Sequence, residues 1–142
     1  MDALTIFRRN GMPIELTLLG GTLILAIVNI FAAAQVKTRQ YGTTWNMGAR
    51  DEALPPISPL GGRLARAQAN LFETLPLFAA ALLGAVAAQR LGWKTELGAH
   101  LYFWARVVYL PLYAAGIPKV RTLVWMVSMA GLLLIIWALM LG

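Results

Sequence analysis

The sequence contains no cysteine, a single histidine and only six acidic residues among its 142. Without cysteine, disulfides, Cys-ligated metals and a thiol nucleophile of the protein's own are all excluded. His100 has no second histidine at helical spacing, so it cannot build a zinc site, and no metal is expected. Charge of either sign is scarce. Asp, Glu, Lys and Arg make up 13% of the chain, about half the ~25% of an ordinary soluble domain. Ser58 and Ser128 lack His or Asp partners nearby in sequence. The glycine pairs Gly20-Gly21 and Gly61-Gly62 lack the lysine and spacing of a phosphate-binding loop. No internal repeat or low-complexity tract is present.

Long apolar runs dominate instead, and 59% of the residues are hydrophobic. A bilayer core of about 30 Å needs roughly 20 mainly apolar residues in a helix. Four stretches qualify: about 14–34, 62–88, 97–115 and 122–141. The fold class expected is therefore all-α and integral to a membrane, a single domain over 1–142 built as a four-transmembrane-helix bundle. Arg8 and Arg9 precede an apolar run ending at Ala32-Ala33-Ala34-Gln35, the outline of a signal peptide. That run exceeds the usual h-region of about 7–15 residues, so a retained first span is expected. The segment from about 35 to 61, broken by Gly42, Gly48, Pro55, Pro56 and Pro59, reads as a solvated loop. Gly20, Gly21, Ala26, Ala79, Ala80, Ala81 and Gly84 are small enough to let helices approach closely in lipid.

The formal charge is +6 and the isoelectric point about 10.3. In so apolar a chain, basic residues serve as topology markers, and no nucleic-acid partner is expected. Lys37, Arg39, Arg50, Arg63, Lys119 and Arg121 fall on one side; Arg8, Arg9, Arg90 and Lys94 fall on the other. The positive-inside rule then puts the first and third connectors in the cytoplasm and both termini outside.

Polar residues inside the spans are costly, about 2.5–3.5 kcal/mol each for a charge at mid-bilayer on insertion scales. Here they are also aligned. At 100° per residue, Arg63, Arg66, Asn70 and Glu73 lie within an arc of about 80° on the second span. Arg106, Tyr109 and Tyr113 likewise share one stripe of the third. Arg63 is close enough to its helix start to snorkel. Asn70 and Glu73, roughly 12 and 16 Å below Gly62, are not. A carboxylate at that depth calls for a cation, and Arg66 or Arg106 is the expected partner, as a purely structural pair or as part of a site. Lys37 and Arg121 stand at the same level, Arg121 near a helix N-terminus that itself favours anions. The stripes describe a cationic, hydrogen-bonding cleft for a small, multiply anionic molecule. His100 falls about 120° off the Arg106 stripe and reads as an interface residue. Trp93, Trp104, Trp125 and Trp137 read as interface anchors or lipid-facing bulk, and Trp45 as a candidate cover of the cleft.

The run Arg66-Ala67-Gln68-Ala69-Asn70-Leu71-Phe72-Glu73-Thr74-Leu75-Pro76-Leu77-Phe78 resembles the R-A-x-x-N-x-x-E-x-x-P-x-F signature of MAPEG proteins. These are membrane-associated proteins of eicosanoid and glutathione metabolism, among them microsomal glutathione transferases and microsomal prostaglandin E synthase. Ala105-Arg106-Val107-Val108-Tyr109, continuing to Tyr113 and then Pro118-Lys119-Val120-Arg121, is similar to a second stretch of the family. Gln35-Val36-Lys37-Thr38-Arg39 is a weaker third. Gln68 stands where several members carry histidine, and Lys37 where many carry arginine.

The resemblance implies a homotrimer that binds glutathione as co-substrate between neighbouring subunits near the cytoplasmic face, with a lipophilic second substrate from the bilayer. It implies that Arg66, Asn70 and Glu73 hold the glutathione backbone, Glu73 at its amino group. Arg106, Tyr109 and Tyr113 would contact its carboxylates and glycyl end, Lys37 and Arg63 would add charge, and Arg121 would be the catalytic residue beside the thiol. The expected function is a glutathione-dependent transferase or peroxidase-like activity that turns the thiol on lipophilic electrophiles. A non-enzymatic MAPEG-like protein binding lipids or small molecules is the alternative, and a small proton-coupled transporter using Glu73 is a third.

Overall fold

A computed structural model describes residues 11–142, and among them all regular structure is helical. Helix α1 spans Ile14–Tyr41 and is followed by a short helix, α2, over Thr43–Met47. Three further helices are α3, Pro59–Ala87; α4, Trp93–Ala115; and α5, Pro118–Leu141. Arg8 and Arg9, which bear on topology and on the signal-peptide outline, lie outside the described residues.

Each boundary has a local cause. Proline opens both α3 and α5, where its missing N–H costs nothing. The Ser58 hydroxyl caps α3 by accepting from the Gly61 amide at 3.2 Å. Helix α4 closes at Gly116, whose φ of +76° lies in the left-handed region that glycine enters without strain. The amide of Ile117 then reaches the Leu112 carbonyl at 3.1 Å and that of Gly116 reaches Tyr113 at 3.0 Å, a Schellman ending.

The first connector is shorter and more ordered than the expected loop. Helix α1 runs on past Ala34 to Tyr41 because residues 35–41 contain no glycine or proline to stop it. The chain beyond α2 is tied back to the end of α1. Tyr41 Oη donates to the Pro55 carbonyl at 2.6 Å, Gln40 Nε2 donates to that of Pro56 at 2.9 Å, and Gln40 Oε1 accepts from the Ser58 amide at 2.8 Å.

Helices α1, α3 and α5 are long and apolar enough to cross a bilayer, which makes this an integral, multi-pass membrane fold. Helix α4 is less apolar, since it carries Lys94, Glu96, His100 and Arg106. It packs against all three of the others, and most extensively against α5. Successive long helices run in opposite directions. Thus Arg63 at the start of α3 meets Ala114 at the end of α4, while Arg90 and Lys94 reach Leu139 and Gly142 at the end of α5. Phe78 and Tyr102 stack at 4.1 Å in the core, beside Leu75, Leu82, Ala99, Leu132 and Ile135.

Close backbone approach between helices also occurs at glycines outside the set singled out from sequence. A methyl group on Gly98 would sit 2.6 Å from the Gly131 carbonyl oxygen, and one on Gly131 would sit 2.5 Å from that of Gly98. Gly20, by contrast, has nothing within 4 Å of such a group. Without a hydrophobic driving force between helices in lipid, this backbone approach is what close packing requires. Gly131→Ala is expected to destabilise the protein by about 1–3 kcal/mol, the range for overpacking, whereas Gly20→Ala should be neutral. Thermal unfolding in detergent micelles distinguishes the two.

Candidate anion-binding site

The stripe on α3 and the stripe on α4 meet where α5 begins. Arg66, Ala69, Asn70 and Glu73 from α3, Tyr109 and Tyr113 from α4, and Arg121, Thr122 and Trp125 from α5 line a cavity of about 410 Å³. Arg63 lines an adjoining space of about 220 Å³ together with Arg66, Tyr113 and Arg121. Six of the nine residues expected at the site therefore border the main cavity, and a seventh borders its annex.

Tyr113 organises the cations. Its hydroxyl accepts from Arg66 Nε at 3.2 Å, which leaves the phenol proton free to donate. The Arg121 guanidinium lies over its ring at 4.4 Å, and Tyr109 meets that ring edge-on at 5.6 Å. Arg121 has no hydrogen-bond acceptor among the described residues, so its N–H groups are unspent beside the cavity. Stacking on an aromatic face holds an arginine in place without consuming its donors. Arg63 is more committed, since its Nε donates to the Ala114 carbonyl at 2.8 Å and so caps the end of α4.

Arg106 stands behind the cavity rather than in it. It is 2% exposed. Its Nη1 donates to Asn70 Oδ1 at 2.6 Å and its Nη2 to Thr74 Oγ1 at 2.9 Å. The guanidinium also lies over the rings of Tyr109 and Tyr102, at 5.0 and 5.6 Å. Thr74 is in turn within 2.9 Å of the Tyr102 hydroxyl. These bonds fix the Asn70 amide. With Oδ1 turned to Arg106, its NH₂ group is the part left for the cavity.

The expected pairing of Glu73 with Arg66 or Arg106 is not what the side chains do. Arg66 bonds to Tyr113 and Arg106 to two neutral side chains, while Glu73 is exposed on the cavity wall. The physical reason is depth. Glu73 is exposed on the cavity wall, whereas the threonine one residue on is buried and meets the arginine.

Lys37 is the other departure. It lines a second cavity of about 290 Å³, with Ile30, Ala33, Ala34, Thr38, Trp45, Asn46, Arg50, Ile57, Gly61, Ala65 and Gln68. Gly61, Ala65 and Gln68 occupy a stripe of α3 roughly 140° from the one carrying Arg66, Asn70 and Glu73. The two cavities of one chain thus face different ways.

Three contributors escaped the sequence reading. Trp125 lines the main cavity, and its buried indole N–H has no hydrogen-bond partner among the described residues. The signal was its place one helical turn after Arg121. Thr74 and Tyr102 complete the Arg106 network, and neither residue type is distinctive enough to be found without contacts. His100 lies away from the cavity, on an apolar groove with Trp104, whose Nε1 donates to its Nδ1 at 3.2 Å.

Apolar crossing helices, with arginines and tyrosines converging on a cavity at one end, define a multi-pass integral membrane protein with a cationic pocket. The chain belongs to the MAPEG family, whose model matches residues 18–141. Comparison with curated proteins and with solved structures returned no match.

Proposed function

We propose that the protein is a glutathione-dependent membrane enzyme that activates the glutathione thiol for addition to lipophilic electrophiles or reduction of hydroperoxides. The observation that carries this reading is the set of unspent donors around one cavity: Arg121, the Asn70 amide and the Tyr113 phenol proton. Two cations, Arg66 and Arg121, face one carboxylate, Glu73, across the cavity. That balance suits a ligand with two carboxylates and one ammonium group, which glutathione has.

In this reading Glu73 takes the ammonium group, and Arg66 and Asn70 hold a carboxylate. Tyr109 and Tyr113 border the remaining backbone, with Arg63 adding charge from the annex. Arg106 acts through Asn70 and is a positioning residue. Arg121 lies beside the sulfur. A free thiol has a pKa near 8.5, and an adjacent cation lowers it. The thiol proton leaves to water, and the thiolate stays paired with Arg121 until it attacks the electrophile.

A homotrimer supports the role given to Lys37. Because Lys37 faces away from the main cavity of its own chain, it reaches a ligand there only from a second copy. Residues Lys37, Arg39, Arg50, Arg63, Lys119 and Arg121 share one end of the helices, which we assign to the cytoplasm by the positive-inside rule. Helix α4 then crosses as a fourth span, with Arg106 buried against Asn70 and Thr74 of α3.

Isothermal titration of glutathione into the purified protein tests the reading, and absence of binding overturns it. Turnover of a chromogenic aryl halide separates an enzyme from a binding protein. Glu73→Gln is expected to weaken glutathione about tenfold, in line with loss of one charge-assisted hydrogen bond. The same substitution should leave binding of N-acetylated glutathione, which has no ammonium group, unchanged.

A further inference from the structure

Arg50 sits in the connector between α2 and α3 and is one of two non-glycine residues at positive φ among those described, at +64°. A side chain in this left-handed region is unusual and is sustained by its surroundings. Here the surroundings are specific. Arg50 Nη2 donates to the Asn46 carbonyl at 2.9 Å and to Asn46 Oδ1 at 2.5 Å, and its Nε donates to the same carbonyl at 3.2 Å. Its guanidinium also lies over the Trp45 ring at 4.9 Å, and Trp45 meets Tyr41 at 5.0 Å. A surface arginine with no task would be free to move in solvent. This one is clamped on three sides.

The clamp leaves one part open. Arginine carries five N–H donors in a planar fork, and the two protons on Arg50 Nη1 have no acceptor among the described residues. Arg50 lines the same cavity as Lys37, and among the described residues no acidic one lines it with them. Anything anionic that reaches Lys37 therefore meets a second, pre-oriented cation. Trp45 and Asn46, which hold it, line that cavity too.

We infer that Arg50 is a ligand-binding residue of the same site as Lys37, and that its free Nη1 edge receives a carboxylate of the bound anion. The inference rests on the reading that this anion is glutathione and that Lys37 contacts it. The connector is then part of the binding surface rather than a tether, and the α1–α2–Arg50 stack is what preorganises it. Preorganisation matters because a donor already immobilised loses little freedom when the ligand arrives.

A charge series at this one position tests it. Glutathione affinity is measured by calorimetry on the intact protein in detergent for Arg50→Lys, Arg50→Gln and Arg50→Glu, with the thermal unfolding midpoint recorded for each. Affinity is expected to fall about threefold for lysine, about tenfold for glutamine and about a hundredfold for glutamate, while the midpoint stays constant. A graded response to charge at constant stability is not what a purely structural clamp produces. If the parent protein binds glutathione and all three variants bind it equally well, the inference is overturned and the glutathione reading stands. If a fall in affinity follows a fall in the unfolding midpoint rather than the sign of the charge, Arg50 is structural and the inference is again overturned. If the parent protein binds no glutathione, the reading beneath it fails, and the inference fails with it.

Discussion

Replacing Arg121 with leucine is expected to abolish the thiolate of bound glutathione while leaving most of the binding affinity in place. Arg121 lies on the Tyr113 ring at 4.4 Å with none of its N–H groups taken by an acceptor among the described residues. It therefore offers charge at full strength, in the first turn of α5, where the helix dipole adds to it. The sulfur becomes anionic when the bound thiol ionises, so a cation at that point acts on thiol ionisation more than on binding of the rest of the ligand. Losing one preorganised electrostatic contact of this kind typically lowers turnover by about 10²–10³-fold. Affinity should fall far less, because in the proposed site Arg66, Asn70 and Glu73 would still hold the ligand backbone. Ultraviolet difference spectra of the complex report the thiolate directly, and stopped-flow turnover reports the rate. A thiolate signal undiminished in Arg121→Leu would remove Arg121 from the mechanism.

The second large effect is a separation of stability from binding at Arg106. This guanidinium is 2% exposed and is held by the neutral acceptors Asn70 and Thr74 and by two aromatic faces, and its Nε has no partner among the described residues. Burying a charge without an opposite charge is unfavourable, and replacing buried ionic groups with apolar ones of similar size is often neutral or stabilising by about 1–4 kcal/mol. Arg106→Met is therefore expected to keep or raise the unfolding midpoint in detergent. Thr74 keeps the Tyr102 hydroxyl as a partner, and Asn70 borders the cavity, where water can satisfy it. Glutathione affinity should nonetheless drop at least about tenfold, the scale of one lost charge-assisted contact, because the amide is no longer turned toward the ligand. A midpoint that falls together with affinity would mean that Arg106 mainly holds α3 to α4. An affinity that does not change would mean that Asn70 keeps its orientation unaided.

Much of the site could be read in the chain because helical spacing alone brings its residues onto common stripes. Arg66, Asn70 and Glu73 lie three or four apart, as do Arg106, Tyr109 and Tyr113, so each set shares a face whatever packs against it. What spacing cannot give is depth across a helix pair. Arg106 and Tyr109 share a stripe, yet only Tyr109 lines the cavity, because Asn70 and Thr74 of α3 close over Arg106. The same limit explains Glu73. Its register said that it was deep along the helix axis, and only the neighbouring helices determined that it is exposed on the cavity wall.

Small residues show a parallel contrast. Gly20 and Gly98 are both glycines within long helices, but a methyl group on the first would meet nothing within 4 Å and one on the second would clash with the Gly131 carbonyl of α5. The first connector differs again. Its glycines and prolines exclude a continuous helix, but the turn at Gly42, with φ of +96°, and the bonds from Gln40 and Tyr41 are what fold it over Lys37.

By itself, then, the sequence determined the solvent this protein lives in, the number of long helices and the residue types of a candidate anion site. Those follow from hydropathy and from a period of 3.6, which are properties of single segments. Tertiary structure decided which cation is spent and which is free. It turned Arg63 to a carbonyl, buried Arg106 behind Asn70, left Arg121 on an aromatic face and put Lys37 and Arg50 in a cavity of their own. A side chain's donors are assigned only when neighbouring helices bring their acceptors, and no single segment contains that information. The absence of cysteine gains its sense here too: in the reaction proposed, the reactive sulfur arrives with the ligand, and the protein's part is to place charge beside it.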